Sequence, residues 1–289
     1  MKRVGFVLRR GKPEAETICG ELVAWLVARG HRAVLLPEHR GLALDAEILP
    51  EAEFAATIDL LVVLGGDGTL LHGGGLVAQH GVPVLGINLG RLGFLTPFST
   101  AEAAEAVDRA LAGGLVVEQR MRLRVRLHQS GGEVVERHAL NDAVLSQGAM
   151  ARLIELRAFL DGSQVTIYRA DGLIVSTPTG STAYNLAAGG PILTPGQSSM
   201  CITPICPHML TNRPLVVPAP SRVEIELAGE SRGVILTVDG QWAHPVAPGD
   251  RVDISEAAVP LRLYRSDKTY FEILREKLSW GERADAQTP

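Results

Sequence analysis

The chain has 289 residues, 46% of them hydrophobic and 21% charged, with a formal net charge of −4. That length suits one large domain or two ordinary ones with a full core, and the lack of a long basic tract argues against nucleic acid as a partner. Cys19, Cys201 and Cys206 are too few for a disulfide framework, no apolar run is long enough to span a bilayer, and the first ten residues read as a strand rather than a signal peptide. A soluble cytoplasmic protein with no membrane partner is expected, with reduced thiols.

Residues 4–8 form a β-type run. Ile18, Leu22, Trp25 and Leu26 follow at helical spacing, and Gly30 supplies a C-cap. Further strands are expected at 33–36, 61–64 and 82–87, with a helix over 73–80 despite its glycines. Ser99 with Glu102 makes a capping box, and Ala103, Ala106, Val107, Ala110 and Leu111 line one helix face before Gly113 and Gly114 end it. Strands alternating with helices predict a parallel sheet covered on both faces.

The pattern changes near residue 120. Residues 122–127 alternate polar and apolar, the period of a half-buried strand. Gly131-Gly132 and Asp161-Gly162 are hairpin signals, and 153–159, 222–227 and 234–238 are further β-type runs. One helix is expected after Ser181, and 268–280 has helical composition. The predicted organisation is a Rossmann-like α/β nucleotide-binding domain over 1–119 and a β-rich, β-sandwich-like domain over 120–262. A tail over 263–289 is expected to pack back on the first domain.

Two segments carry chemistry. Leu61 to Leu71 reads as a buried strand ending in Gly65-Gly66-Asp67-Gly68-Thr69. In open α/β sheets ligands bind at the carboxyl ends of strands, and glycines let backbone approach a ligand closely. The turn points to phosphoryl transfer or nucleotide binding centred on Asp67 and leaves the acceptor open; the same residues also suit an ordinary β-turn-α connection. Thr69 is expected to cap the following helix or touch the nucleotide, and His72 either approaches a phosphate or lies on the helix surface. The second segment, Asp171 to Asn185, is a strand followed by a polar, glycine-bearing turn. Ser181 or Thr182 is placed to cap a helix over 184–188 whose N–H groups would face an anion. Tyr184 is placed to stack on a base, and Asp171 to accept from a ribose or amide. A plain capped helix needs the same residue types. Cys201, Cys206 and His208 lack the fourth ligand that zinc sites normally need, so no residue is assigned to a metal.

The motifs together are similar to those of the bacterial NAD kinase (ATP-NAD kinase) family. They are Gly65-Gly66-Asp67-Gly68-Thr69, Asn88-Leu89-Gly90-Arg91-Leu92-Gly93-Phe94-Leu95, Asn141-Asp142, and Asp171 to Tyr184 with Ala188-Gly189-Gly190-Pro191. Thr203 to His208, Asn212 to Leu215, Tyr270-Phe271 and 274–281 continue the agreement in family order over most of the chain. Gly-Gly-Asp-Gly-Thr alone is shared with lipid kinases and phosphofructokinases, whereas the Asp171 to Tyr184 segment is much more restricted.

The resemblance implies ATP-dependent phosphorylation of the adenosine ribose 2′-OH of NAD to give NADP, with Mg²⁺ or another divalent cation on the ATP. It implies a homodimer or homotetramer with NAD and ATP as small-molecule substrates. By family position Asp67 is the proton acceptor; Gly65, Gly66 and Gly68 leave room for phosphate and sugar at the same turn, and with Thr69 and His72 they make up the candidate nucleotide site. Asn141, Asp142, Arg152, Arg169, Asp171 and Gln241 occupy positions that contact NAD or NADP. Thr182, Ala183, Tyr184, Asn185, Leu186 and Ala187 match the segment that wraps the nucleotide. Two positions depart from the family pattern: Ala187 stands where a serine is frequent, so a hydroxyl is missing there, and Ala170 stands where glycine is common. A lipid or sugar kinase with the same turn, and a non-catalytic NADP(H)-binding sensor, are the alternatives.

Overall fold

The computed structural model describes residues 1–148, 153–209, 211–228 and 233–279. The chain divides into two compact units, 1–118 together with 261 onward, and 119–260.

The first unit begins with β1 (Arg3–Leu8), α1 (Pro13–Ala28), β2 (Arg32–Leu35), β3 (Ala46–Ile48) and α2 (Glu51–Thr57). It continues through β4 (Leu60–Leu64), α3 (Asp67–Val77), β5 (Val84–Ile87), α4 (Ala103–Leu111) and β6 (Val117–Arg120). The chain returns at its far end with β19 (Leu261–Tyr264) and α6 (Tyr270–Leu278). The sheet runs β3-β2-β1-β4-β5-β19-β6. β1 pairs in parallel with both β2 and β4, and β4 with β5. The chain builds outward from β1 to β3 and then crosses back to β4, so the strand order reverses between β1 and β4. Every residue of β4 is buried, as a strand covered on both faces requires. The returning strand β19 pairs in parallel with β5, so the tail does pack back on the first sheet. Ser99 and Glu102 form the expected capping box at the turn before α4, and α4 buries Ala103, Ala106, Val107 and Ala110.

The second unit holds β7 (Leu123–His128), β8 (Val134–Ala139), β9 (Asp142–Gln147), β10 (Ile154–Leu160), β11 (Ser163–Ala170) and β12 (Gly172–Ser176). After α5 (Tyr184–Ala187) come β13 (Ser199–Ile205), β14 (Leu215–Pro218), β15 (Val223–Ala228), β16 (Val234–Val238), β17 (Trp242–Val246) and β18 (Arg251–Glu256). They form two six-stranded antiparallel sheets, β11-β10-β15-β18-β7-β8 and β14-β13-β12-β9-β16-β17. Leu123, Val125, Leu156 and Ile254 from one sheet share a core with Leu145, Leu173, Ile202 and Leu236 from the other. This is a sandwich, and the alternation read in 122–127 appears as strict in–out burial along β7. Asp161 and Gly162 both adopt left-handed conformations, φ 50° and 80°, between the paired Leu160 and Ser163. That is the twist a two-residue hairpin needs.

Two local expectations are corrected. The helix after the glycine turn starts at Asp67 itself, with Gly66 as its N-cap, so Thr69 lies inside the first turn and does not cap it. The helix after Ser181 is four residues long and has no side-chain cap. The Ser181 hydroxyl instead donates to the carbonyl of Pro178 and accepts from the Leu193 amide, and the Thr182 hydroxyl donates to the Thr179 carbonyl. Ser and Thr hydroxyls that find carbonyls three residues back are lost to capping.

Candidate active site

Asp67 follows β4 at its carboxyl end, beside the point where the strand order reverses. Open α/β sheets bind ligands at such points. Its carboxylate is held by the loop after β5: Oδ2 accepts from the Phe94 amide at 3.0 Å, and Oδ1 from the Leu95 amide at 3.0 Å and the Thr96 hydroxyl at 3.3 Å. The loop is itself tied down by Asn88, whose side-chain amide donates to the carbonyls of Thr96 and Phe98. Gly93 makes the approach possible, because a Cβ there would overlap Asp67 Oδ1. A carboxylate offers about four acceptor positions. Three are filled from the loop, and the least-used oxygen is Oδ2, which keeps room for one more donor.

Around that carboxylate, Gly65 packs against the Thr69 side chain, whereas a Cβ on Gly66 or Gly68 would meet open space. Neither of these two glycines has a positive φ, so neither packing nor backbone strain excludes a side chain there; close approach of a ligand does require a bare backbone. His72 is exposed on α3.

In the second unit, three distant segments meet. Asn141 and Asp142 lead into β9, and Asp142 pairs with Ser176 at the end of β12. The Thr177 amide donates to the Asn141 carbonyl at 2.8 Å, and the Thr177 hydroxyl to the Leu140 carbonyl. Gly180 lies so close that a Cβ would overlap the Asn141 carbonyl. From the turn between β16 and β17, Asp239 accepts from the amides of Leu140, Asn141 and Asp142 at 2.8, 2.7 and 3.1 Å. Gln241 follows two residues later and is exposed. Asn141, Asp142, the turn leading to Thr182 and the Gln241 turn are therefore brought together. Asp142 is buried, and burial reinforced by the charge of Asp239 pushes its carboxyl up to about 7. Such a group holds a proton over much of the range to neutrality and can donate as well as accept. Burial also raises Asp239, against the pull of its three amides and of Arg122.

The remaining expected residues are distributed differently. Asp171 precedes β12 and Thr177 follows it, so one strand, roughly 17 Å of chain, separates Asp171 from the Asn141 turn. Arg169 lies near Asp171, and its Nε contacts Glu155 Oε1 at 2.8 Å. Tyr184 is 46% exposed, and Ala187 is exposed while Ala183 and Leu186 are half-buried. The Asn185 side chain is fully buried and spent inside the fold: it donates to the carbonyls of Ser181 and Pro191 and accepts from the Thr203 hydroxyl at 2.6 Å. Arg152 lies outside the described residues. Among the described residues, no group of three or more His, Cys, Asp or Glu side chains stands ready to hold a metal ion. Asp239 was not singled out in the sequence, although Asp239-Gly240 is a hairpin signal after a β-type run. Gly93 and Thr96 escaped notice as supports of Asp67 because nothing in their spacing links them to residue 67.

Residues 4–115 match the model of the ATP-NAD kinase N-terminal domain, and 140–266 that of the C-terminal domain. The NAD kinase of Citrifermentans bemidjiense is 47% identical over 290 residues, covering 98% of this chain and 100% of that protein. The crystal structure of yeast NADH kinase complexed with NADH superposes with a TM-score of 0.93 at 29% identity, covering 100% of this chain and 90% of that one. An NAD kinase from Archaeoglobus fulgidus in complex with ATP gives 0.76 at 25% identity, covering 96% and 100%. With both family domains matched in order and relatives of this similarity along nearly its whole length, the chain belongs to the NAD kinase family and is a kinase.

Proposed function

We propose that the chain transfers the γ-phosphoryl group of ATP, supplied as its Mg²⁺ complex, to the 2′-OH of the adenosine ribose of NAD, giving NADP, with Asp67 as general base. The observation that carries this reading is the Asp67 carboxylate, oriented by three donors at the carboxyl end of β4 with acceptor capacity left on Oδ2. A ribose hydroxyl is a poor nucleophile at neutral pH. A carboxylate in reach takes its proton as the bond from O2′ to the γ-phosphorus forms and the bond from that phosphorus to the β,γ-bridging oxygen breaks, releasing ADP. Help of this kind is worth about 10²–10⁴-fold. Positioning and charge neutralisation supply most of the rest in phosphoryl transfer. Gly65, Gly66, Gly68, Thr69 and His72 are the residues we place against the phosphates and sugar, where the amino end of α3 favours an anion. Mg²⁺ arrives with the nucleotide, consistent with its preference for phosphate and water ligands over all-protein cages.

For the acceptor we assign Asn141 and Asp142 to the ribose, with Gln241 beside them. Thr182, Ala183, Tyr184, Leu186 and Ala187 form the wall along the nucleotide, Asn185 shaping that wall from within. Asp171 and Arg169 complete the contacts. Arg169 suits a phosphate because its fork of donors is planar and permanently charged, and it must release Glu155 to reach one. We place the enzyme in the cytoplasm as a homodimer or homotetramer, which light scattering on the eluted protein tests directly. The deciding experiment is incubation with MgATP and NAD. Formation of NADP, with ³¹P resonances placing the new phosphate on the 2′ oxygen, supports the reading. Failure to form NADP with either ATP or another nucleoside triphosphate overturns it.

A further inference from the structure

Asp239 is an unusual acceptor. Three consecutive amides, those of Leu140, Asn141 and Asp142, converge on one carboxylate, and its own amide donates back to the Asp142 carbonyl at 2.9 Å. Hydrogen bonds to an ionised acceptor are roughly twice as strong as neutral ones. The residue sits at φ 52° and Gly240 at φ 62°; Asp and Asn are among the few non-glycine residues enriched in that region. Thr177 in turn donates its hydroxyl to the Leu140 carbonyl and its amide to the Asn141 carbonyl, with Gly180 packed close against Asn141. The backbone of Asn141 is thus held at both its amide and its carbonyl. A second carboxylate beside buried Asp142 is an expensive way to hold a turn, since like charges out of water repel.

We propose that Asp239 is a positioning residue for the nucleotide substrate: by gripping Leu140, Asn141 and Asp142 it fixes the angle at which the Asn141 and Asp142 side chains meet the acceptor ribose. This rests on the reading above that those two side chains contact NAD. Asp239 itself touches no substrate. It also sets the charge around Asp142. Of the elements packed there, the turn after β16 brings Asp239 and the approach to β7 brings buried Arg122, which faces Asp239. The end of β12 brings only the uncharged Ser176 and Thr177.

The test is steady-state kinetics on the full chain carrying Asp239→Asn or Asp239→Gly, with NAD and MgATP varied separately. Both replacements tolerate a positive φ. Asparagine keeps one acceptor oxygen, and glycine removes the grip entirely. KM for NAD is expected to rise roughly tenfold in Asp239→Gly, equivalent to one lost charge-assisted hydrogen bond, and by less in Asp239→Asn. KM for ATP and kcat stay within about twofold. In both variants the midpoint of the pH profile of KM for NAD moves down, because the negative neighbour of Asp142 is gone. That shift follows the lost charge whatever the role; a scaffold role alone leaves KM for NAD in place. Asn141→Ala separates the two levels. If it raises KM for NAD while Asp239→Gly, folded by circular dichroism, leaves KM for NAD unchanged, the positioning role is overturned and the nucleotide reading stands. If Asn141→Ala leaves KM for NAD unchanged, the underlying contact is absent and the proposal falls with it. Should Asp239→Gly fail to fold, Asp239→Asn carries the same two readouts.

Discussion

Asp67 and Asp142 are both carboxylates at strand ends, and their surroundings differ sharply. Asp67 is half-buried and accepts from two amides and a hydroxyl; its orientation is fixed and one oxygen stays open to a further donor. Asp142 is 6% exposed and stands beside a second carboxylate that has already taken the amides of the turn. Its pKa climbs to about 7 as a result. Asp67 keeps an acceptor position open, which the proposed base role would use, whereas Asp142 keeps its proton up toward neutrality. Residue type alone distinguishes neither, because the difference lies in who donates to each oxygen and how much water remains.

The largest effect is expected at Asp67. Replacement by Asn keeps the shape and removes the base, so kcat for NADP formation should fall by about 10²–10⁴-fold. NAD affinity, measured by titration calorimetry, should stay within about threefold. An unchanged kcat removes Asp67 from the base role. Next in size is Gly93→Ala, which drives a methyl into the Asp67 carboxylate. It should lower kcat by about tenfold and unfolding free energy by about 1–3 kcal/mol. Normal kcat in that variant would mean the loop does not set the carboxylate's orientation.

The two regions also differed in how far they could be read from sequence. The buried run 61–64, the glycines after it and the capping box at Ser99 are local signals, and each came out in place because neighbours in sequence make the contacts. Even there the helix starts earlier than the spacing suggests: Asp67 begins α3, and packing against the sheet sustains it through the glycines of 73–75. Gly73 lies where a Cβ would come within 3.1 Å of Val63 Cγ2, so its small size serves the packing that propensity scales count against it. The Asn141 site is assembled from 140–142, 177–180 and 239, residues nearly a hundred positions apart. No periodicity reports such a meeting. The family resemblance names Asn141, Asp142 and Gln241, which the fold brings together, because motif order is readable where geometry is invisible. It did not find Asp239, whose work is done through backbone amides, and it grouped Asp171 with Thr182 although the length of β12 lies between them.

A smaller effect is expected at Asp142, where it depends on pH. Its unfolded value is near 3.8 and its folded value about 7. Between those values the folded chain binds a proton that the unfolded chain does not, so stability falls as pH rises from about 4 to about 7 and levels off above. Asp142→Asn is neutral at every pH and removes that slope. The variant should therefore gain on the order of 1–3 kcal/mol over wild type at pH 8 and nothing near pH 4, measured by urea unfolding. It should lose NAD affinity at the same time. Parallel stability curves for the two proteins from pH 4 to 8 would show that Asp142 ionises normally in the fold.

The smallest effect belongs to Tyr184, which separates a binding surface from a structural one. The ring is 46% exposed at the start of a four-residue helix, so its loss opens no cavity and should change unfolding free energy by less than about 0.5 kcal/mol. If a base stacks on it, the lost contact is worth about 1–3 kcal/mol. The lower end of that range corresponds to about a fivefold rise in KM for NAD in Tyr184→Ala, with KM for ATP unchanged. The two readouts point in opposite directions for the two roles: a residue holding the helix lowers the melting temperature and leaves KM alone, whereas a stacking platform raises KM and leaves the melting temperature alone. Constant KM with a lowered melting temperature would withdraw Tyr184 from the nucleotide wall and leave Asn141 and Asp142 as the acceptor contacts of that region.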